Sequence, residues 1–200
     1  MIERVRLRAS DGETLEGRWD RPDSPIGAVV LCHPDPQQGG TMMAPLMVAM
    51  TTRLVERGYS VLRFNFRSIG ASTGTHDNGN AEVLDVAAAI AAASDTGLAV
   101  HLSGWSFGGG TALRWLGSQD KPIPYAGIAP WWRVEPAGDL PAGPKRIVVG
   151  TRDQVVDLDV IRAYAEQHSI DLVLTPGDHF FHGRGKKIGN LVAQGFEPDS

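Results

Sequence analysis

One cysteine, Cys32, stands among 200 residues, so no internal disulfide can form and the core must be held by packing alone. Charge of one sign is scarce too: 19 lysines and arginines against 23 aspartates and glutamates leave a formal net charge of −4. That balance excludes the electrostatic pull that nucleic acid or an anionic membrane surface would need. Long hydrophobic runs are missing as well. The longest aliphatic stretch, Val86 to Ala93, is alanine-rich and flanked by Asp85 and Asp95, and it falls far short of the ~20 residues with which a helix spans a bilayer. The opening residues, MIERVRLRAS, alternate apolar and charged side chains where a signal peptide needs an unbroken apolar segment. The chain therefore reads as a cytoplasmic protein with neither membrane nor nucleic-acid partners. Its length suits a single domain over residues 1–200 with one sizeable core.

What is present is periodic. Residues 4–8 and 14–19 alternate apolar and polar side chains around Ser10-Asp11-Gly12, as an antiparallel hairpin at a sheet edge does. After Pro22 and Pro25 the pattern turns into continuous apolar runs at 28–32, 60–66, 98–102, 125–129, 146–150 and 170–174. Such runs mark strands covered on both faces, hence a parallel sheet. Helical spacing lies between them. Met43, Met47, Met50 and Leu54 recur on one face, as core residues, with Gly58 as a C-cap; Asn80 is placed to cap a helix carrying Val83, Val86 and Ile90. The alternation predicts an α/β, doubly wound, mostly parallel sheet with an N-terminal antiparallel hairpin. The Pro/Gly-rich connection at 136–144 is short, so no separate lid domain is expected and the site should be open. In such sheets ligands bind at the carboxyl ends of the strands.

One strand end carries Gly104-Trp105-Ser106-Phe107-Gly108, between LAVHLS and the helical GGTALRWL. A G-x-S-x-G sequence here puts its serine on a strained turn that tolerates only small residues two before and two after it. Ser106 is thus a candidate nucleophile, and the Phe107 amide a candidate oxyanion donor at a helix N-terminus. A serine hydroxyl needs a histidine to take its proton and a carboxylate to orient that histidine. Asp153 follows the strand RIVVG and His179 follows IDLVLTPG. Asp153 has a rival in Asp157, although Asp157 and Asp159 fall where they would favour a helix dipole. His182, one helical turn past His179, either shapes the pocket or faces solvent. The HFFH spacing could also hold two metal ligands, but no third stands in register, so no metal is expected. The glycine run fails as a phosphate loop because Gly110 takes the lysine position, and as a dinucleotide motif because Ser106 replaces a glycine. No cofactor is expected.

Together, GWSFG around Ser106, Asp153 after Gly150, His179 in GDHFFHG, HPDP at 33–36 and RFNFRSIGAS from Arg63 resemble the small, lidless α/β-hydrolase family related to dienelactone hydrolases and serine esterases. The order of serine, acid and histidine fits that fold, and the resemblance runs through nearly the whole chain. It implies a Ser106–His179–Asp153 triad. Two departures are Asp35, where relatives often carry histidine, and Ser68, in place of glycine after Arg67. Pro34 and Pro36 have no N–H, which leaves the Asp35 amide as the second oxyanion donor. The Asp35 carboxylate is then expected to turn away or to pair with a cation such as Arg67. Arg67 itself reads either as a grip on a substrate carboxylate or as a salt bridge anchoring its loop. Trp131 and Trp132 follow a strand end and are candidate pocket residues, whereas Trp105 should pack behind the turn. His33 is expected to bond nearby backbone, and Cys32 to be an inert buried thiol. The function these residues imply is hydrolysis of a carboxylic ester, thioester or lactone of a small molecule through an acyl-enzyme. Acyl transfer to another acceptor, peroxide included, and a non-catalytic binding protein of the same fold are the alternatives.

Overall fold

The computed structural model describes residues 1–133, 136 and 138–197. In it the apolar runs close into one eight-stranded sheet. In chain order the elements are β1 (Ile2–Arg8), β2 (Thr14–Asp20), β3 (Gly27–Cys32), α1 (Pro45–Glu56), β4 (Tyr59–Phe64), α2 (Glu82–Ser94), β5 (Val100–Trp105), α3 (Phe107–Leu116), β6 (Tyr125–Ile128), β7 (Lys145–Gly150), α4 (Leu158–Gln167), β8 (Asp171–Thr175) and α5 (Gly185–Gln194). The strand order is β1-β2-β4-β3-β5-β6-β7-β8. β1 and β2 form the antiparallel hairpin and β2 runs antiparallel to β4; β4, β3, β5, β6, β7 and β8 run parallel.

The continuous runs have the predicted cause. Every residue of β3 and β4 is buried, because α1 and α5 pack together, α2 packs on α3, and these pairs cover the strands. Each fully buried Val or Leu contributes roughly 1.5–3 kcal/mol relative to an exposed one, so the central strands carry much of the fold. Met47, Met50 and Leu54 are buried under α1 as their spacing predicts, but Met43 lies before the helix and is 49% exposed. Gly58 sits just past the α1 C-cap with φ of 92°. Asn80 does not cap α2. Ala81 holds that position, and the Glu82 carboxylate instead turns back to accept from the Asp77 and Gly79 amides. No described segment forms a separate lid domain, and of the 136–144 connection residue 137 lies outside the described residues.

The connection leaving β3 leads through α1 to β4 on one side, whereas the connection leaving β5 leads through α3 to β6 on the other. β3 and β5 pair with Cys32 opposite Gly104. Their carboxyl ends therefore flank the crevice where the winding reverses, the place in an open α/β sheet where a ligand fits.

Candidate active site

At the end of β5 the chain must turn at once into α3, and Ser106 takes up the strain with φ 54° and ψ −123°. The glycines around it are required by contact. A Cβ on Gly104 would stand 2.5 Å from the Gly108 oxygen, and one on Gly108 would stand 2.3 Å from the His33 oxygen. Backbone bonds hold the turn on all sides: the Ser106 amide donates to the Ile128 oxygen at 2.9 Å, and the Ser106 carbonyl accepts from Trp131 and Gly110, each at 3.0 Å.

Past β7, the Asp153 Oδ1 accepts from the Val155 and Val156 amides at 2.8 and 3.1 Å, which fixes the carboxylate plane. Its other oxygen lies 2.9 Å from His179 Nδ1, and His179 Nε2 lies 2.9 Å from Ser106 Oγ. Burial pushes the Asp153 carboxyl up, but the hydrogen bonds from His179, Val155 and Val156 outweigh it and hold the group below its ordinary value. An ionised Asp153 can only accept, so Nδ1 carries the proton and Nε2 accepts from the serine hydroxyl. The loop bearing His179 is held from both ends. Trp105 donates its indole N–H to the His179 carbonyl at 3.1 Å, and Asp178 accepts from the Phe180 and Phe181 amides at 3.1 Å each.

On the β3 side His33 is fully buried, and burial pushes its imidazole down to about 4 against the hydrogen bond to Pro34. The Phe66 amide donates to its Nε2 at 3.0 Å, so Nδ1 carries the proton and donates to the Pro34 carbonyl at 2.6 Å. Fixing that carbonyl fixes the planar 34–35 peptide, and with it the direction of the Asp35 N–H. The Asp35 side chain turns into the short helical turn that follows and accepts from the Gln37 amide at 2.8 Å. It does not pair with Arg67. The Phe107 amide, at the first position of α3, is one of the donors a helix leaves unpaired.

Ser106, His179, Asp35, Trp105, Trp131 and Phe180 line a cleft of about 500 Å3. Three candidate pocket residues, Arg67, His182 and Trp132, lie outside this cleft, the first two in the second of the readings given for each, and the rival acid Asp157 takes the helix position expected of it. Arg67 is buried away from the cleft, clamped by Asp85 at 2.7 Å and Asp11 at 2.9 Å, since a buried guanidinium needs carboxylates on its donors. His182 is exposed and lies flat on Phe180, with ring centres 5.7 Å apart, outside the cleft lining. Trp132 packs on Tyr164 and lines a smaller adjoining pocket. Asp157 caps α4 by accepting from the Asp159 and Val160 amides. Trp105, expected to pack behind the turn, instead packs against the histidine loop and lines the cleft, as do Phe180, Val155 and Arg133, which sequence reasoning missed. The aromatic residue next to His179 was the one available signal. Cys32 is fully buried, and burial raises its thiol far above the ordinary range. Among the described residues no cluster of three or more His, Cys, Asp or Glu is placed to hold a metal ion.

A family model described as an alpha/beta hydrolase domain matches residues 27–194. The chain is similar to the structure of an alpha-beta serine hydrolase homologue from Coxiella burnetii, 28% identical with a TM-score of 0.82 over 98% of this chain and 97% of that one. It is also similar to an a/b serine hydrolase without lid from Xanthomonas campestris, 27% identical with a TM-score of 0.87 over 97% and 93% of the two chains. A curated relative, an uncharacterized protein of Rickettsia prowazekii, is 28% identical over 195 residues, 89% of this chain and 82% of that protein. No described helix is long and apolar enough to cross a membrane.

Proposed function

The chain belongs to the small, lidless alpha/beta hydrolase family, and from that premise we propose that it is a serine hydrolase that cleaves carboxylic esters, thioesters or lactones of small molecules. The observation that carries the reading is the pair of 2.9 Å contacts running from Asp153 through His179 to Ser106 Oγ, with that oxygen in the cleft. His179 takes the Ser106 proton as the oxygen attacks the substrate carbonyl. The Phe107 and Asp35 amides receive the oxyanion of the tetrahedral intermediate, where two fixed donors stabilise developing charge more than water does. His179 then protonates the leaving group, and it activates water to release the acid from Ser106. Asp153 keeps the histidine in the required tautomer and stabilises the imidazolium.

The cleft supports a small substrate. Its volume of about 500 Å3 lies in the range of sites that enclose small molecules, and the half-exposed Phe180 and Val155 on its walls offer apolar surface for an acyl or alcohol chain. The test is intact-mass analysis after treatment with a fluorophosphonate, which reacts with an activated serine whatever its natural substrate. One adduct is expected on the wild type and none on Ser106→Ala. An unlabelled, folded wild type would overturn the reading in favour of a binding protein.

A further inference from the structure

Next to the cleft lies a pocket of about 100 Å3 whose walls include Asn78, Gly79, Thr111, Arg114, Trp131 and Arg133. Trp131 and Arg133 line both spaces, so the pocket adjoins the cleft that holds Ser106. We propose that this pocket is a subsite for an anionic oxygen group, carboxylate or phosphate, carried by the substrate; the proposal rests on the hydrolase reading and names its substrate class.

Three observations carry it. First, two arginines, Arg114 and Arg133, line the same small space and no described carboxylate lines it. Neither Arg114 nor Arg133 forms an ion pair among the described residues, and unlike the buried Arg63 and Arg67, whose charges are met by Asp20 and by Asp85 and Asp11, their charge is left for a ligand. Second, the acid that follows the neighbouring loop is already engaged. Glu82 turns into that loop, accepting from Asp77 and Gly79 and lying 2.9 Å from His76. Third, the remaining walls suit a bound anion. Arg114 is half-buried, and its Nη1 would stand 4.0 Å from a Cβ on Gly79, whose φ of 92° and missing side chain leave that wall open. Phe107 and the tryptophans add apolar wall beside the arginines, Arg133 reaching in from the exposed side, and a hydrogen bond to a charged group is about twice as strong as a neutral one.

The test compares kcat/KM for three 4-nitrophenyl esters with acyl chains of matched length, one ending in a methyl group, one in a carboxylate and one in a phosphate. The wild type should prefer at least one anionic ester over the neutral one. The better of the two anionic arms identifies the group. Arg114→Gln and Arg133→Gln should each lower that anionic-to-neutral ratio by about tenfold, as the loss of one charge-assisted contact does. Arg114→Lys should restore part of the ratio, because a structural role would be indifferent to charge. A second readout does not need turnover: in Ser106→Ala, glutarate or inorganic phosphate should change tryptophan fluorescence saturably, and Arg114→Gln should weaken that response. A ratio unmoved by both glutamine variants, or an equal loss on all three esters, would overturn the subsite. Failure of fluorophosphonate labelling alongside Arg114-dependent anion binding would instead remove the hydrolase reading and leave the subsite standing.

Discussion

Two buried polar constellations lie beyond the carboxyl ends of strands on either side of β3, and they differ in where their hydrogen bonds end. Beyond β4, the Arg67 guanidinium donates to both oxygens of Asp85 and to Asp11, and the Arg67 amide also donates to Asp85. Burial lowers the guanidinium, but Asp85 and Asp11 more than reverse that and keep it charged; burial raises the Asp85 carboxyl against the pull of Arg67. This network is closed on itself. Where Ser106 leaves β5, by contrast, each link that reaches it from Asp153 past β7 through His179 past β8 is single, and the last oxygen lies in the cleft. A closed network fixes the loop between β4 and α2, while an open chain of donors presents an atom to a ligand. Burial and perturbed acidity are common to both, so they do not by themselves mark a site.

The sharpest test of the difference is Asp153→Asn. The amide can still accept from Val155 and Val156, so folding should survive, but it no longer enforces the His179 tautomer. A drop of about ten-thousandfold in kcat is expected, read from steady-state ester hydrolysis beside a thermal melt. A loss below tenfold would take Asp153 out of the open chain. The reverse signature belongs to Arg67→Met, which leaves Asp85 buried without a counter-charge. It should cost about 3–5 kcal/mol in urea unfolding with little change in kcat per folded molecule. Arg67→Met combined with Asp85→Leu should recover most of that loss, since an apolar pair of similar volume often replaces a buried ion pair without penalty. A folded, stable Arg67→Met protein with failed turnover would break the comparison.

How much of this was legible follows from the same contrast. Strand positions were readable because a strand buried on both faces must be apolar throughout, and Ser106, Asp153 and His179 were candidates because each lies at or within a few residues of such a strand's carboxyl end. Pairing was not readable. Nothing within RFNFRS says that Arg63 meets Asp20, Asn65 meets Glu16 and Arg67 meets Asp85, at separations of 43, 49 and 18 residues. The sequence therefore leaves both readings of Arg67 open, and the ion pairs with Asp85 and Asp11 decide for the salt bridge. Ser68 has φ of 71°, the left-handed backbone that favours glycine, which fits the glycine that the family resemblance implies after Arg67. Loop side chains have no period to betray their direction, so the sequence does not separate Trp132 and His182, which lie outside the cleft, from Phe180 and Arg133, which line it.

His33 sits between the two constellations and gives the smallest and most specific prediction. Its folded value of about 4 is below the roughly 6.5 of an unfolded histidine, so between these values the unfolded chain binds the extra proton. Stability should then be undiminished above about pH 6.5 and fall towards pH 4, by at most about 1.4 kcal/mol per pH unit. Other acids titrate in that window, so the measurement is a difference: unfolding free energy against pH for the wild type and for His33→Asn, whose curve should be flatter. Protonation turns Nε2 from acceptor to donor, sets it against the Phe66 N–H, and loosens the residue that aims the Asp35 amide. Turnover by His33→Asn should therefore fall even at neutral pH, where the side chain is uncharged in both proteins. A flat stability profile with undiminished turnover would confine His33 to the closed, structural kind of network; a flat profile with slowed turnover would join it to the open one.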